Sequence, residues 1–327
     1  YVVIQILFDI MNSLGLSVIF KMGCLCAKEE IYINNERYTA RDVLAHGGFG
    51  VIQMVENNTS HKMYVLKRIK CHSLEDERIA IKEGEFYKQF QHRNIIQCLD
   101  FNLRKSNNYI NDDVTEALML FPYYKKGTLQ DELQRRQRSH QHLTESYIFK
   151  LFVQICSAVS AMHNHKPNPL AHRDLKPANI LFKTDDDVVV IDLGSMDNAR
   201  IEISNVSQAL QLQDTAAERS SMPYRAPELF NVESLCHIDE RTDIWSLGCL
   251  LYALCFFDSP FQSVYEKGNS IALAVVSGNV AIPESSRYSR ELHQLILKML
   301  TVNPLERPLI DDILNQCQSL VELEASV

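Results

Sequence analysis

Apolar positions first appear in short alternating bursts. Tyr38, Val43 and Leu44 precede a glycine cluster, and Val51, Ile52, Met54 and Val55 follow it. Alternation over so short a reach predicts strands. Asn57-Asn58 marks a turn, and Met63 to Leu66 reads as a third short strand. A charged helix is expected from about Leu74 to Phe90, then two strands ending at Phe121. Beyond that the period changes. Ile148, Leu151, Phe152, Ile155, Val159 and Met162 recur at helical spacing, and Pro167 closes the element. The stretch Ile244 to Phe257 is apolar nearly all round, as in a helix buried at the centre of a lobe. The expected fold class is therefore α/β of the α+β kind. A small β-rich lobe spans 37–124 and a larger helical lobe spans 125–320, with tails at 1–36 and 321–327. No linker composition separates the lobes, so they should share one cleft.

Composition narrows the functions. The chain has 33 Lys and Arg against 41 Asp and Glu, a net charge of −8. That excludes a nucleic-acid binder working through bulk positive charge. At 46% hydrophobic and 23% charged residues, this is an ordinary globular composition. Nine cysteines occur without any CxxC pair, which suits neither a disulfide framework nor a zinc site. Cys156, Cys249 and Cys255 fall in apolar runs and read as buried thiols of a reducing compartment.

The amino terminus supports two exclusive readings. Residues 1–20 are apolar with Asp9 the only charge, and about 20 such residues suffice to span a bilayer. Met22-Gly23-Cys24-Leu25-Cys26 follows at once. A Met-Gly start with cysteines behind it suits myristoylation of Gly23 and palmitoylation of Cys24 and Cys26, although Ala27 stands where Ser or Thr is usual. Myristate needs a free amino group on Gly23, so residues 1–21 would then be missing from the mature protein. One myristoyl chain anchors only marginally. Lys28-Glu29-Glu30 is no basic patch, so the cysteines would supply the second signal. A third reading has no anchor.

The chemistry-bearing residues come in order. Leu44-Ala45-His46-Gly47-Gly48-Phe49-Gly50-Val51-Ile52 is a strand–turn–strand whose glycines let backbone N–H groups approach phosphates. A plain tight turn would look the same. Lys67 lies on an apolar strand, where it can hold phosphate oxygens or sit at a solvated edge. Glu83, in the next helix, can be its ion-pair partner, among many acids there. The densest segment is His172-Arg173-Asp174-Leu175-Lys176-Pro177-Ala178-Asn179. Asp174 can take the proton of an attacking hydroxyl, Lys176 can neutralise a moving phosphoryl group, and Asn179 can bind a metal ion. The run Val188 to Ile191 ends at Asp192-Leu193-Gly194, and a carboxylate at such a strand end suits a hard cation.

In this order the motifs resemble those of the eukaryotic protein kinases, over roughly Arg37 to Leu320. Tyr224-Arg225-Ala226-Pro227-Glu228, Asp243 to Gly248, Asn303-Pro304 and Arg307-Pro308 extend the match. Lys176, two residues after Asp174, points within that family to serine/threonine specificity. The runs Asp192 to Met196, Gln208-Ala209-Leu210, Leu212-Gln213-Asp214, Ile238 to Asp243 and Lys126 to Leu129 resemble the Numb-associated kinases, and among them the acylated Golgi branch.

The resemblance implies a two-lobed fold, a phosphoryl transferase, and ATP with Mg²⁺ as cofactors. Residues Leu44 to Ile52, with Gly47, Gly48, Phe49 and Gly50 over the phosphates, would form the ATP site with Val65, Lys67, Phe121 as gatekeeper, and Pro122 and Tyr124 at the hinge. Glu83 would pair with Lys67. Asn179 and Asp192 would hold Mg²⁺, with Asp174 the base and Lys176 beside it. Glu228 and Arg307 would brace the large lobe, and the Ser221 hydroxyl would bond Asp174 and Lys176. Expected partners are protein substrates and, through acyl chains, the cytoplasmic face of Golgi or perinuclear membranes. The catalytic unit is expected to be monomeric, and no nucleic acid is expected.

Three positions depart from the family pattern. Ala45 replaces a loop glycine, Val65 replaces an alanine over the adenine, and Leu193 replaces the phenylalanine of the metal motif. None removes a charge the chemistry needs. A pseudokinase scaffold is the competing reading and rests on Ala45 and Val65 alone. A small-molecule phosphotransferase would leave Ala226-Pro227-Glu228 unexplained. The segment Ser195 to Arg225 offers Ser204, Ser207, Thr215 and Ser220 for autophosphorylation, with Thr215 and Ser220 the first choices and Arg173 a candidate partner for the phosphate.

Overall fold

The computed structural model describes residues 29–47, 50–105 and 114–325. Its amino-terminal part is an antiparallel sheet of six strands in the order β1-β2-β3-β4-β6-β5. They are β1 (Glu30–Ile33), β2 (Glu36–Gly47), β3 (Gly50–Asn57), β4 (Met63–Cys71), β5 (Asp100–Lys105) and β6 (Thr115–Pro122). Central β6 is flanked on both edges, and six of its eight residues are buried. That is why Ala117 to Phe121 is a continuous apolar run rather than an alternating one.

The sheet starts earlier than the sequence pattern suggested. β1 lies in the stretch expected to be tail, upstream of 37. Ile31 and Ile33 are fully buried against Tyr38, Val55, Leu66, Leu118 and Leu120. Two alternating isoleucines are too short a signal to separate from a polar tail. Asn34, in the left-handed conformation at φ 50°, makes the tight turn into β2.

Helix α1 (Leu74–Gln89) crosses the inner face of the sheet. Ser73 and Asp76 close a reciprocal capping box at its start. It buries Ala80, Glu83, Gly84, Phe86 and Tyr87, so a carboxylate is carried inward on an otherwise apolar stripe.

The larger lobe holds α2 (Leu129–Ser139), α3 (Glu145–His163), α4 (Val206–Arg219), α5 (Arg241–Phe256), α6 (Gln262–Glu266), α7 (Ile271–Ser277), α8 (Arg290–Met299) and α9 (Ile310–Ala325). Thirteen of the sixteen residues of α5 are buried, which makes it the helix around which the lobe is built. Short two-stranded ladders hold the loops between α3 and α5. β7 (Leu170–Ala171) pairs with β10 (Asp197–Asn198), and β8 (Ile180–Phe182) with β9 (Val188–Val190). β11 (Ile201–Ile203) pairs with β12 (Cys236–Ile238). One apolar core joins the two lobes, running from Phe86, Tyr87 and Phe121 through Leu193 into α3 and α5.

Helix α4 sits inside the Ser195 to Arg225 segment, for which the sequence pattern predicted no element. Asn205 caps it by accepting from the Gln208 N–H at 3.0 Å. Ala209, Leu212 and Ala216 seat one face on Ile203, Leu229, Val232 and Ile238.

Candidate active site

Leu66 belongs to the cluster on the outer sheet face, so its neighbour Lys67 points inward toward α1. The Lys67 ammonium donates to Glu83 Oε1 at 2.7 Å and to Asp192 Oδ1 at 2.8 Å. Lys67 and Glu83 are almost fully buried, whereas the Asp192 side chain keeps 37% of its exposure. Burial opposes the charge on Lys67, but the two carboxylates overcome it and raise its pKa. Burial raises Glu83, with Lys67 pulling it back. Burial also works against charge on Asp192, yet Lys67 wins and lowers it. One charged lysine thus serves two carboxylates, and the outer one keeps a face open to the cleft.

Asp192 closes the run after β9 with φ 63°, and Arg173 has φ 64°. Non-glycine residues adopt this region at a cost and cluster where function requires it. Fully buried Asp243, on α5, holds the second of these turns. Its carboxylate accepts from the His172 N–H at 2.7 Å, the Arg173 N–H at 2.8 Å and the His163 ring at 2.9 Å. His172 is buried as well. Its Nδ1 accepts from the Asp174 N–H at 3.3 Å, which leaves Nε2 protonated to donate to the Ile191 carbonyl at 3.1 Å.

Asp174 is therefore presented on a loop fixed from below. Its Oδ2 accepts from Lys176 at 2.7 Å and from the Asn179 amide at 3.1 Å, and its Oδ1 from the Ser221 N–H at 2.8 Å. Lys176 also donates to the Ser221 hydroxyl at 2.6 Å. The hydroxyl expected to serve both residues serves Lys176 alone, and the backbone N–H of Ser221 serves Asp174. Asn179 spends its NH₂ on Asp174, leaving its amide oxygen available.

The structure brings Lys67, Glu83 and Asp192 together, and Asp174, Lys176, Asn179 and Ser221 together. The two groups are joined through the Ile191 N–H, which donates to the Asn179 carbonyl at 2.9 Å. Above them, Gly47 pairs with Gly50, Ala45 with Ile52 and His46 with Val51. Leu44, Ala45 and His46 are exposed, and Gly48 and Phe49 lie outside the described residues. Gly50 has φ 142°, and a Cβ there would lie 2.1 Å from the Arg68 carbonyl oxygen. Glycine is required there by close backbone approach. Val65 faces Phe121 across the β4–β6 ladder. Pro122 ends β6, and Tyr124 packs half-buried against the core.

Arg307 and Glu228 lie apart from the cleft. They form a bidentate pair with both bonds at 2.7 Å, and Arg307 also donates to the Thr301, Arg241 and Val302 carbonyls. Gly23, Cys24, Cys26 and the apolar stretch 1–20 lie outside the described residues. Among the described residues no helix is long and apolar enough to cross a membrane. Arg173, a candidate phosphate partner, donates to the Asn198 carbonyl at 2.6 Å instead.

A hard divalent cation fits this donor set. Asp192 offers a partly open carboxylate and Asn179 an amide oxygen. No cluster of three or more His, Cys, Asp or Glu among the described residues could hold a metal, and Mg²⁺ needs none, since it is bound by one or two protein oxygens plus phosphates and water.

The protein kinase domain family matches residues 38–317. This chain belongs to that family. Serine/threonine-protein kinase 16 of Rattus norvegicus is 42% identical over 297 residues, covering 91% of this chain and 94% of the relative. The protein of the same name from Mus musculus is 43% identical over the same shares. Serine/threonine-protein kinase ppk13 of Schizosaccharomyces pombe is 31% identical over 318 residues, covering 88% and 91%. The resemblance seen in the motifs, and the β-rich and helical lobes it implied, therefore hold for the protein as a whole. Sequence reasoning assigned no role to Asp243, although the Ile238–Asp243 run contains it; only the fold reveals that it supports a loop some 70 residues away.

Proposed function

We propose that this protein is a serine/threonine kinase that transfers the γ-phosphoryl group of ATP to protein hydroxyls. The observation that carries the reading is the Asp174 carboxylate, held by Lys176, Asn179 and the Ser221 N–H, with Asp192 on the adjoining loop. When bound, ATP supplies the phosphoryl group and Mg²⁺ the neutralising charge. Lys67, kept in place by Glu83, would hold the α and β phosphates. Asp192 and the Asn179 amide oxygen hold the cation. Asp174 orients the substrate hydroxyl and accepts its proton as the new O–P bond forms and the bond from the γ-phosphorus to the bridging oxygen breaks, ADP leaving, while Lys176 balances charge on the group in flight.

Asp174→Asn tests this directly. Label from γ-labelled ATP should reach a protein substrate with the wild type and fall by at least about a thousandfold in the variant, nucleotide binding being retained. Label on neither protein, with nucleotide still bound, would favour a scaffold instead.

The amino-terminal motif supports a membrane-attached enzyme, acylated at Gly23 and at Cys24 and Cys26, and the family resemblance points to the cytoplasmic face of Golgi or perinuclear membranes. Intact mass from cells should carry myristoyl and palmitoyl increments on a chain starting at Gly23; an unmodified Gly23 inside a longer chain would refute it. For autophosphorylation, Ser204 and Ser207 are the candidates with exposed side chains, whereas of the two first choices the Thr215 hydroxyl donates to the Gln211 carbonyl at 2.8 Å, and the Ser220 hydroxyl donates to the Ala216 carbonyl and accepts from Arg225, both at 2.7 Å.

A further inference from the structure

Tyr87 lies one turn beyond Glu83 on α1, so the two side chains share a face. It is 5% exposed and no step above uses it. Its ring meets Phe121 edge-on, centroids 5.0 Å apart at 66°. Its hydroxyl oxygen accepts from the Leu193 N–H at 3.2 Å. That one buried oxygen links α1 to the peptide directly after Asp192.

We propose that the Tyr87 hydroxyl is a positioning group for Asp192, tying helix α1 to the Asp192–Leu193 turn so that the carboxylate stays where it can hold the cation. Three observations converge on this. Leu193 is fully buried, so its N–H has no water to fall back on and would be orphaned without the phenol. Asp192 sits at φ 63°, a conformation that relaxes unless its surroundings hold it. One turn of α1 reaches both sides of Asp192, Glu83 through the shared lysine and Tyr87 through the following peptide. Burial pushes the Tyr87 phenol well above 10, so it stays protonated wherever the enzyme is assayed. The inference rests on the assignment of Asp192 to the cation.

The test compares Tyr87→Phe with wild type in the full chain. The substitution keeps the ring against Phe121 and removes only the oxygen. Hydrogen exchange of the Asp192–Gly194 amides should quicken about tenfold, the usual scale of a lost buried hydrogen bond, while the rest of α1 exchanges as before. ADP binding, measured calorimetrically with and without Mg²⁺, should lose about tenfold of its metal-dependent gain and none of its metal-free affinity. Turnover should fall by a similar factor with the peptide KM unchanged. Wild-type exchange at Leu193 and an undiminished metal gain would overturn the proposal. Faster exchange throughout α1, with metal-free binding equally weakened, would also overturn it by making Tyr87 a packing residue. Asp192→Asn separates the two readings. If the metal-dependent gain survives in that variant, the cation assignment fails, whereas the exchange at Leu193 still decides the role of Tyr87.

Discussion

Lys67 stands between carboxylates of unequal surroundings, and the inequality dictates what its loss does. Glu83 is 3% exposed and already raised by burial, while Asp192 can turn to water. Lys67→Met should destabilise the fold by about 3 kcal/mol at pH 8, chiefly through Glu83 left charged and unpaired. A carboxylate whose folded pKa exceeds its unfolded value binds more protons folded than unfolded, so stability falls as pH rises through that window. The deficit should therefore shrink between pH 8 and pH 5, as urea titrations at both values would reveal. A deficit independent of pH would mean that Glu83 is not the source. Lys67, Asp174, Asn179 and Asp192 were legible in the chain because their spacing encodes the chemistry. Tyr87 was not, since a tyrosine on an amphipathic helix looks like any core aromatic. Its meaning depends on a peptide more than 100 residues away.

At the level of elements, helical spacing of apolar residues made α3 readable, and α5 was readable because it is apolar nearly all round. Helix α4 escaped because its buried face is only Ala209, Leu212 and Ala216. Two of those are alanines, too small to register as a stripe. That thin seat makes α4 locally weak while it helps frame the site, because the Ser195 hydroxyl donates to the Arg219 carbonyl at 2.6 Å, at the end of α4. Leu212→Ala removes the only large side chain on the face and should cost about 2 kcal/mol. The loss should appear as faster hydrogen exchange across Val206–Arg219, with the amides of α5 unaffected. Exchange of α5 quickened to the same extent would mean that α4 unfolds only with the whole lobe.

Across the whole molecule, buried carboxylates in both lobes set the response to acid. Asp243 in the helical lobe is fully buried; burial resists its charge, but the hydrogen bond from His163 and the neighbouring donors prevail and lower its pKa. Glu116 in the sheet is 4% exposed. Burial resists there too, and Arg104 and Arg68 prevail. Both groups hold protons less tightly folded than unfolded, where their pKa values are about 3.9 and 4.3. Their contribution is thus complete above about pH 5 and is lost as pH falls through the lower folded values. Acid should loosen both lobes together. Asp243→Asn isolates one term, since an amide can accept only part of what three donors offer. It should cost about 3 kcal/mol near neutrality and flatten the decline in stability between pH 5 and pH 3. Turnover should fall as well, because the freed Arg173 turn no longer presents Asp174. A variant as stable as wild type at pH 7 that still lost stability steeply in acid would place the acid response elsewhere.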